Sequence, residues 1–218
     1  MKDIEYVKPA DIEKRSFEII SKELSEKGII LPKEQELIIK RAIHTSADFE
    51  YADTLIFSEN AVETALKLIR NGADIVTDTN MGLSGINKKV LSSYGGEAHC
   101  FMADESVATE AKKRDITRAA VSMERALKID KPVIFAIGNA PTALITLYEQ
   151  MIKGNRKPDF IIGVPVGFVN VCAAKELFID SDIPYIINRG RKGGSNIAAA
   201  ICNALLYMVR DSEAEKID

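Results

Sequence analysis

The sequence predicts a three-layer α/β/α protein built on a mainly parallel, doubly wound sheet of about five strands. Short apolar runs at 132–137 and 159–163 lack polar alternation, as expected of strands that are covered on both faces. From residue 58 onward, such runs alternate with segments of helical periodicity. A chain of 218 residues can build one well-packed core, so we predict a single α/β domain over 1–218.

The first part of this domain, residues 1–57, is predicted to be a helical segment packed on the sheet. Apolar residues recur at helical spacing over 9–27, and Gly28 is expected to end that helix. A second amphipathic helix is expected over 33–45. A short extended piece is expected within 50–57, where the pattern is ambiguous.

The remaining strands and helices largely alternate, and their boundaries are predicted from caps, glycines and prolines. Ser58 is expected to cap the first of these helices and Ser195 the last. The charged end of the chain, 211–218, is expected to be a frayed tail. The predicted strands are 74–78, 97–102, 132–137, 159–163 and 184–188. The predicted helices are 58–70, one ending near 92, 104–114, 117–128, 142–153, one that follows 168, and 196–209.

Four loops are expected to meet at one edge of the sheet, because the carboxyl ends of parallel strands share an edge. These loops are 79–84, 138–142, 164–170 and 189–195. The last loop holds two arginines, a lysine, two adjacent glycines and a serine at a helix start. Glycines allow close approach of a ligand, and free N–H groups at a helix start favour an anion. This loop is therefore predicted to bind an anion, the alternative being a solvated basic turn.

The other three loops are small, apolar and rich in amides, which suits a broad organic ligand with polar edges. Neither GxxxxGK[ST] nor GxGxxG occurs at a strand–helix junction, and no GxSxG elbow supports a serine hydrolase. His44 and Asp48 are four residues apart, but the helix is expected to break between them. His99 is placed inside a strand, so no protein-held metal is predicted.

His44 is the first candidate for proton chemistry, since imidazole can both donate and accept a proton near neutral pH. It lies at the end of the second predicted helix, where a side chain can leave the core and meet a ligand. A hydrogen-bonded histidine at a helix end is the alternative. Arg41, one turn earlier, lies on the same side and either holds a substrate carboxylate or caps its own helix.

Composition excludes several classes of function. The net charge of −3 gives no reason to expect nucleic acid or an anionic membrane as partner, and no apolar run could span a bilayer. The N-terminus lacks the apolar core of a signal peptide. Three cysteines, far apart and without a CxxC pair, are typical of thiols in a reducing cytoplasm. We therefore expect a cytoplasmic protein.

Several segments together resemble one family, precorrin-8X methylmutase, also called precorrin isomerase, of corrin biosynthesis. They occur in the family's order and cover nearly the whole chain. The three late segments, occurring one after another, are the most specific signal, while each segment alone is only a modest one. The matching segments are RSFEII at 15–20, RxxH at 41–44, TRAA at 117–120, AIGNAPTAL at 136–144, GVPVGFVN at 163–170 and RGRxGGS at 189–195.

The resemblance implies an isomerase that moves the C-11 methyl group of precorrin-8X to C-12, giving hydrogenobyrinate, or cobyrinate when the ring carries cobalt. It implies no organic cofactor and a homodimer with sites near the subunit interface. His44 corresponds to the family's proton donor or acceptor. The four loops at the carboxyl edge of the sheet are called the rim. From the resemblance and from the rim loops together, the expected substrate-binding residues are Ser16, Arg41, Thr45, Asn80, Met81, Arg118, Asn139, Thr142, Gly167, Phe168, Arg189, Arg191, Gly193, Gly194 and Ser195.

Two positions depart from the family's pattern: Asn80 stands where an acidic residue is usual, and Ala174 where a serine is usual. Their roles at the edge of the substrate stay open, as does whether its carboxylates are bound through Arg189, through Arg191 or through both. Two other functions compete with the isomerase. One is a corrinoid carrier without catalysis, and the other is an α/β enzyme that binds a nucleotide or sugar phosphate through the 189–195 loop.

Overall fold

A six-stranded sheet forms the centre of the computed structural model, which describes residues 4–214. The strand order is β1-β6-β5-β4-β2-β3, and all neighbours run parallel except β1, which pairs antiparallel with β6. The sheet confirms the predicted mainly parallel arrangement, and β1 is the short extended piece that was expected within 50–57. The strands are β1 Leu55–Phe57, β2 Asp74–Thr77, β3 Ala98–His99, β4 Val133–Ile137, β5 Phe160–Gly163 and β6 Tyr185–Asn188.

Helices cover both faces of the sheet, and most of them begin and end within a few residues of their predicted boundaries. A short 3-10 turn, Pro9–Asp11, precedes the first of them. The helices are α1 Ile12–Glu26, α2 Glu36–Ser46, α3 Tyr51–Thr54, α4 Ala61–Arg70, α5 Asn80–Gly85, α6 Lys88–Ser93, α7 Glu105–Arg114, α8 Arg118–Ala126, α9 Pro141–Ile152, α10 Val171–Ile179 and α11 Ser195–Ala214.

The two faces of the central strands bury alternate side chains in two separate cores. Ile134 and Ile162 pack among residues of α1, α2, α4 and α11. Phe135 and Ile161 pack among residues of α8, α9 and α10. Because a strand directs successive side chains to opposite faces, uninterrupted apolar runs are what a three-layer protein requires. Removing a ring such as that of Phe135 would cost about 3–5 kcal/mol.

Three elements differ from the predicted boundaries for local reasons. The helix expected from Ser58 starts at Ala61, because the Ser58 hydroxyl accepts a hydrogen bond from the backbone N–H of Tyr185. The loop expected at 79–84 is mostly α5, since the Thr79 hydroxyl accepts from the N–H of Gly82 and caps the helix. The strand expected over 97–102 is short, because it pairs only with β2 at the edge of the sheet.

The last helix is longer than predicted and runs through Ala214 rather than ending at 209. The first part of the predicted tail is thus helical, and 215–218 lie outside the described residues. None of the helices within 4–214 is long and apolar enough to span a bilayer.

Candidate functional site

The carboxyl ends of β2, β4, β5 and β6 lie along one edge of the sheet, as predicted, and their exit loops are bonded to one another. The carboxylate of Asp78, just after β2, accepts the backbone N–H groups of Gly138, Asn139 and Ala140 at 2.9, 2.8 and 2.5 Å. Burial raises the pKa of Asp78, against these N–H donors, which lower it. One buried carboxylate therefore fixes the start of the second loop.

The 189–195 loop is locked against its neighbours by close backbone contacts. Gly194 donates its N–H to the Val164 carbonyl at 2.9 Å. A Cβ on Gly193 would lie 2.0 Å from the same oxygen, and a Cβ on Gly138 would lie 2.6 Å from the Cα of Ser195. Glycine is required at both positions by this close approach. The three loops thus form one continuous backbone surface.

Ser195 is the first residue of α11 rather than a cap preceding it, and its hydroxyl lies 2.7 Å from that of Thr79. This hydrogen bond joins the loop after β2 to the loop after β6. Asn80 and Met81 follow Thr79 in the first turn of α5, where both are exposed; the side chain of Met81 is 71% exposed.

Buried polar groups that the sequence did not single out hold the base of the 189–195 loop. Lys175 in α10 donates to the carbonyls of Gly190 and Lys192. Asn188, at the end of β6, donates to the carbonyls of Arg189 and Lys192. A usable signal existed for Asn188 and Asp78, because each is a polar residue at the end of an apolar strand. Lys175 gives no such signal within its helix.

His44 lies in the last turn of α2 with an exposed side chain, as predicted. The helix ends where Ala47 takes a left-handed conformation, with φ of 56°. The ring of Phe17 meets the imidazole edge-on at 5.5 Å between centroids. Thr45 beside it is also exposed. The histidine is therefore open to a ligand and is not a core residue.

The chain after α2 is tied directly to the rim. Lys192 donates to the carboxylates of Asp48 at 2.5 Å and Glu50 at 2.7 Å. The backbone N–H of Arg189 donates to the carbonyl of Thr54 at 2.8 Å. These bonds, together with the packing of α2 on α11, place the histidine-bearing end of α2 beside the 189–195 loop.

Arg41 is held by side chains of two neighbouring helices, α1 and α11. Its guanidinium is ion-paired with Glu13 of α1 at 2.5 Å, and it lies over the rings of Phe17 at 5.4 Å and Tyr207 at 4.7 Å. Its Nε atom is buried without a partner among the described residues. Ser16 donates its hydroxyl to the Ile12 carbonyl within α1. Both side chains are therefore occupied by the protein's own groups.

The other predicted binding residues lie on the rim surface. Phe168 is 80% exposed, and the guanidinium of Arg191 lies 5.3 Å from the centre of its ring. Arg189 pairs with Glu176 at 3.6 Å. Gly167 donates its N–H to the Arg191 carbonyl at 3.1 Å. The rim thus offers an exposed ring, two guanidinium groups and backbone amides together.

Three predicted binding residues begin or precede helices whose first turns face this edge. Asn139 is exposed and Thr142 half-buried at the start of α9, with Pro141 in its first turn as predicted. Arg118 is exposed at the start of α8, which runs back towards the beginning of β4 and therefore starts on the rim side.

Comparisons with known proteins agree with this architecture. Residues 11–208 match the family model described as Precorrin-8X methylmutase. Proteins named cobalt-precorrin-8 methylmutase are similar to the chain: the one from Priestia megaterium is 42% identical, covering 91% of this chain and 88% of its own. The one from Salmonella typhimurium is 43% identical, covering 94% and 97%. The crystal structure of a precorrin-8X methylmutase from Thermus thermophilus superposes with a TM-score of 0.83 at 35% identity, covering 93% and 98%. The chain belongs to the precorrin-8X methylmutase family.

Proposed function

We propose that this protein is an isomerase of cobalamin biosynthesis that moves the C-11 methyl group of a precorrin-8 macrocycle to C-12. The observation that carries the proposal is the exposed imidazole of His44 near the end of α2, four residues before Asp48, which binds Lys192 of the 189–195 loop. Family membership supports the isomerase class, and it disfavours the nucleotide- or sugar-phosphate enzyme that the basic loop also allowed.

The rim suits a wide, flat ring that is fringed with carboxylates. Met81 and Phe168 offer exposed apolar surface for the face of the macrocycle. Arg189 and Arg191 offer bidentate contacts for carboxylates at its edge. Since the protein carries a net charge of −3, an anionic substrate must be held by such local basic groups. Binding on an exposed rim also admits a ligand too broad for a closed pocket.

The proposed role of His44 is to redistribute charge in the ring during the shift. The imidazolium donates a proton to a ring atom, the methyl group migrates within the same molecule, and the proton returns to the imidazole. No second substrate is consumed, and the atoms balance at each step. Acid–base help of this kind is worth about 10²–10⁴-fold in rate, and the remainder comes from holding the ring in a reactive shape.

We propose further that the natural substrate carries cobalt. Two relatives above 40% identity are named for the cobalt compound. A structural neighbour named for precorrin-8X is 35% identical. Parallel turnover assays with cobalt-precorrin-8 and metal-free precorrin-8X test the choice. A higher kcat/KM for the metal-free ring would reverse it.

A homodimer is proposed as the working form. Glu13 and Phe17 lie on an open face of α1, next to Arg41 and His44. This face is lined by residues within 10–21 alone, so a second subunit would be needed to close it around a substrate. Sedimentation of the purified protein at micromolar concentration should give twice the 24.0 kDa chain mass.

The cytoplasm is the proposed compartment. Cys100, Cys172 and Cys202 are free thiols, and burial raises the pKa of Cys202 to about 12, which keeps it unreactive. Free thiols of this kind suit a reducing compartment. Fractionation of cells that express a tagged chain should recover it with cytoplasmic markers.

His44→Ala tests the catalytic proposal and separates it from a carrier. The purified wild-type protein should convert many equivalents of substrate, followed by the visible spectrum of the chromophore, whereas a carrier gives a change equal to its own concentration. The variant should still bind the corrinoid but lose about 10²–10⁴-fold in kcat. Wild-type turnover by His44→Ala would remove the proton role. Lys22→Ala, at an exposed lysine of α1 that pairs with Glu26, is the control and should keep the wild-type kcat.

A further inference from the structure

Lys175 of α10 is buried without any exposed surface, beneath the loop that presents the rim arginines. Its ammonium donates to the carbonyl oxygens of Gly190 at 2.7 Å and Lys192 at 3.0 Å. Both of these acceptors are neutral, so the charge has no carboxylate bonded to it within the described residues. A buried cation without a counter-charge is costly to a fold. Burial accordingly lowers the pKa of Lys175 to about 8.

These two hydrogen bonds fix the direction of the loop's N–H groups. Every described peptide bond is trans, and in a trans peptide the C=O of one residue points opposite to the N–H of the next. Turning the carbonyls of Gly190 and Lys192 towards Lys175 therefore turns the N–H groups of Arg191 and Gly193 away from it. Neither of these N–H groups has an acceptor among the described residues, so both are free to bind a ligand.

A second buried side chain works in the same direction. The amide of Asn188 donates to the carbonyls of Arg189 at 3.2 Å and Lys192 at 2.9 Å, and its own oxygen accepts from the hydroxyl of Thr54 at 2.7 Å. The N–H of Gly190 is thereby also directed outward. Backbone N–H groups of neighbouring turn residues that lack acceptors can bind an anion.

We infer that Lys175 is a positioning residue for the proposed reaction: it holds the 189–195 loop so that the N–H groups of Arg191 and Gly193 bind a carboxylate at the edge of the corrinoid. Its buried positive charge adds to the attraction for that carboxylate. The inference rests on the proposed function for the identity of the ligand. Lys175 touches the loop and not the substrate, and no covalent step is involved.

Lys175→Met keeps the length of the side chain and removes both its charge and its donors. Titration with cobyrinate, the proposed product, should give a Kd about 10- to 100-fold weaker than that of the wild type, as expected for a lost charge-assisted contact. KM should rise by a similar factor while kcat changes little. Lys157→Met, at an exposed lysine paired with Asp182, should leave both constants unchanged.

A corrinoid in which every side-chain carboxylate has been converted to an amide separates recognition of charge from general damage. It should bind the wild type and Lys175→Met equally. Equal affinity of both proteins for cobyrinate would overturn the inference, as would a fall in kcat without a change in Kd. Absence of turnover in the wild type would instead defeat the proposed function, and the two failures are thus distinguishable.

The pH dependence of binding gives a second measurement, which remains available if Lys175→Met does not fold. Protonated Lys175 is needed for the attraction, so affinity for cobyrinate should be full below pH 8 and fall several-fold as pH rises through it. Replacing Cys172, the titratable neighbour on α10, by serine removes its contribution. Affinity that is flat between pH 7 and 9 in Cys172→Ser would refute the inference. The other charged groups around the loop are Arg189 with Glu176, and Lys192 with Asp48 and Glu50.

Discussion

The amino and carboxyl ends of the parallel strands each hold a buried aspartate that accepts backbone N–H hydrogen bonds, one at Asp74 and three at Asp78, but only Asp74 is paired with a cationic side chain. At the amino edge, Asp74 begins β2 and accepts the N–H of Glu97 at 2.9 Å. His99 lies 3.1 Å from its other oxygen, and the ammonium of Lys131 lies 3.4 Å from the first. The carboxylate of Asp74 is therefore paired with the cationic side chain of Lys131 and with the ring of His99.

At the carboxyl edge, Asp78 is bonded to the N–H groups of the loop after β4, and no lysine or arginine pairs with it among the described residues. Lys175, beneath the neighbouring 189–195 loop, is a buried positive charge that is likewise bonded only to neutral backbone groups. Uncompensated buried charges lower stability, and proteins keep them where function requires them. The comparison therefore supports, without reference to any sequence motif, the proposal that the site lies at the carboxyl edge.

The largest expected effect comes from removing the two aspartates in turn. Asp78→Ala leaves three backbone N–H groups of one loop without their acceptor and should cost about 2–4 kcal/mol of unfolding free energy. Asp74→Ala should cost about 1–2 kcal/mol, since Lys131 is half exposed and water can solvate it. Urea unfolding measures both values. An equal loss of unfolding free energy in the two variants would contradict the proposed difference between the two aspartates.

Glycine substitutions give the next largest effect. Gly193→Ala places a Cβ 2.0 Å from the Val164 carbonyl at a φ of 156°, so overpacking and strain should cost about 1–3 kcal/mol and disturb the rim loop. Gly154→Ala also has positive φ, 81°, but its Cβ would meet nothing within 4 Å. It should cost about 1 kcal/mol and leave KM unchanged. The KM of the two variants, rather than their stability, decides whether the locked loop binds substrate.

Much of the fold follows from the sequence because the central strands are buried on both faces. Uninterrupted apolar runs such as 132–137 and 159–163 are typical of parallel strands covered on both faces. The loops that follow such strands lie together at the carboxyl ends of the strands. Ala98–His99 was predicted too long because a strand at the sheet edge is limited by its partner rather than by its own sequence. Helix α5 was missed because its start depends on one cap, Thr79.

The site was predictable only in part. His44 and the 189–195 loop could be proposed because a histidine at a helix end and a basic, glycine-rich turn each carry a recognisable chemistry. Lys175 could not, because its donors act on carbonyls 15 and 17 residues further along the chain. The pairing of Arg41 with Glu13 spans 28 residues and joins two helices whose contact no local pattern specifies.

The pH dependence of stability should differ in sign between two aspartates of the rim. Lys192 holds the pKa of Asp48 below its usual range, so its contribution to stability is present near neutral pH and lost as pH falls through the lowered value. Burial raises the pKa of Asp78, so its contribution is present at acid pH and lost as pH rises through the raised value. Between pH 3 and 7, Asp48→Asn should flatten the rise of unfolding free energy with pH, and Asp78→Asn should steepen it. Slopes that change in the same direction would contradict this assignment.

The smallest expected effect on stability concerns Glu13, whose side chain is 56% exposed. Glu13→Gln should cost less than about 1 kcal/mol, because exposed ion pairs contribute little. Its effect on binding is more informative, because it releases the guanidinium of Arg41 while Phe17 and Tyr207 still hold the side chain in place. If Arg41 takes up a substrate carboxylate, as the family resemblance implies, Glu13 competes with that carboxylate and its removal should lower KM a few-fold.

Glu36→Gln is the matched control, since it breaks the ion pair with Lys40 on the same helix as Arg41 without touching the guanidinium. It should leave KM unchanged. A raised KM in Glu13→Gln would mean that Glu13 orients Arg41 instead of competing for it. An unchanged KM would mean that Arg41 only joins α1 to α2 and α11, and the binding of carboxylates would then fall to the 189–195 loop, where the buried charge of Lys175 lies.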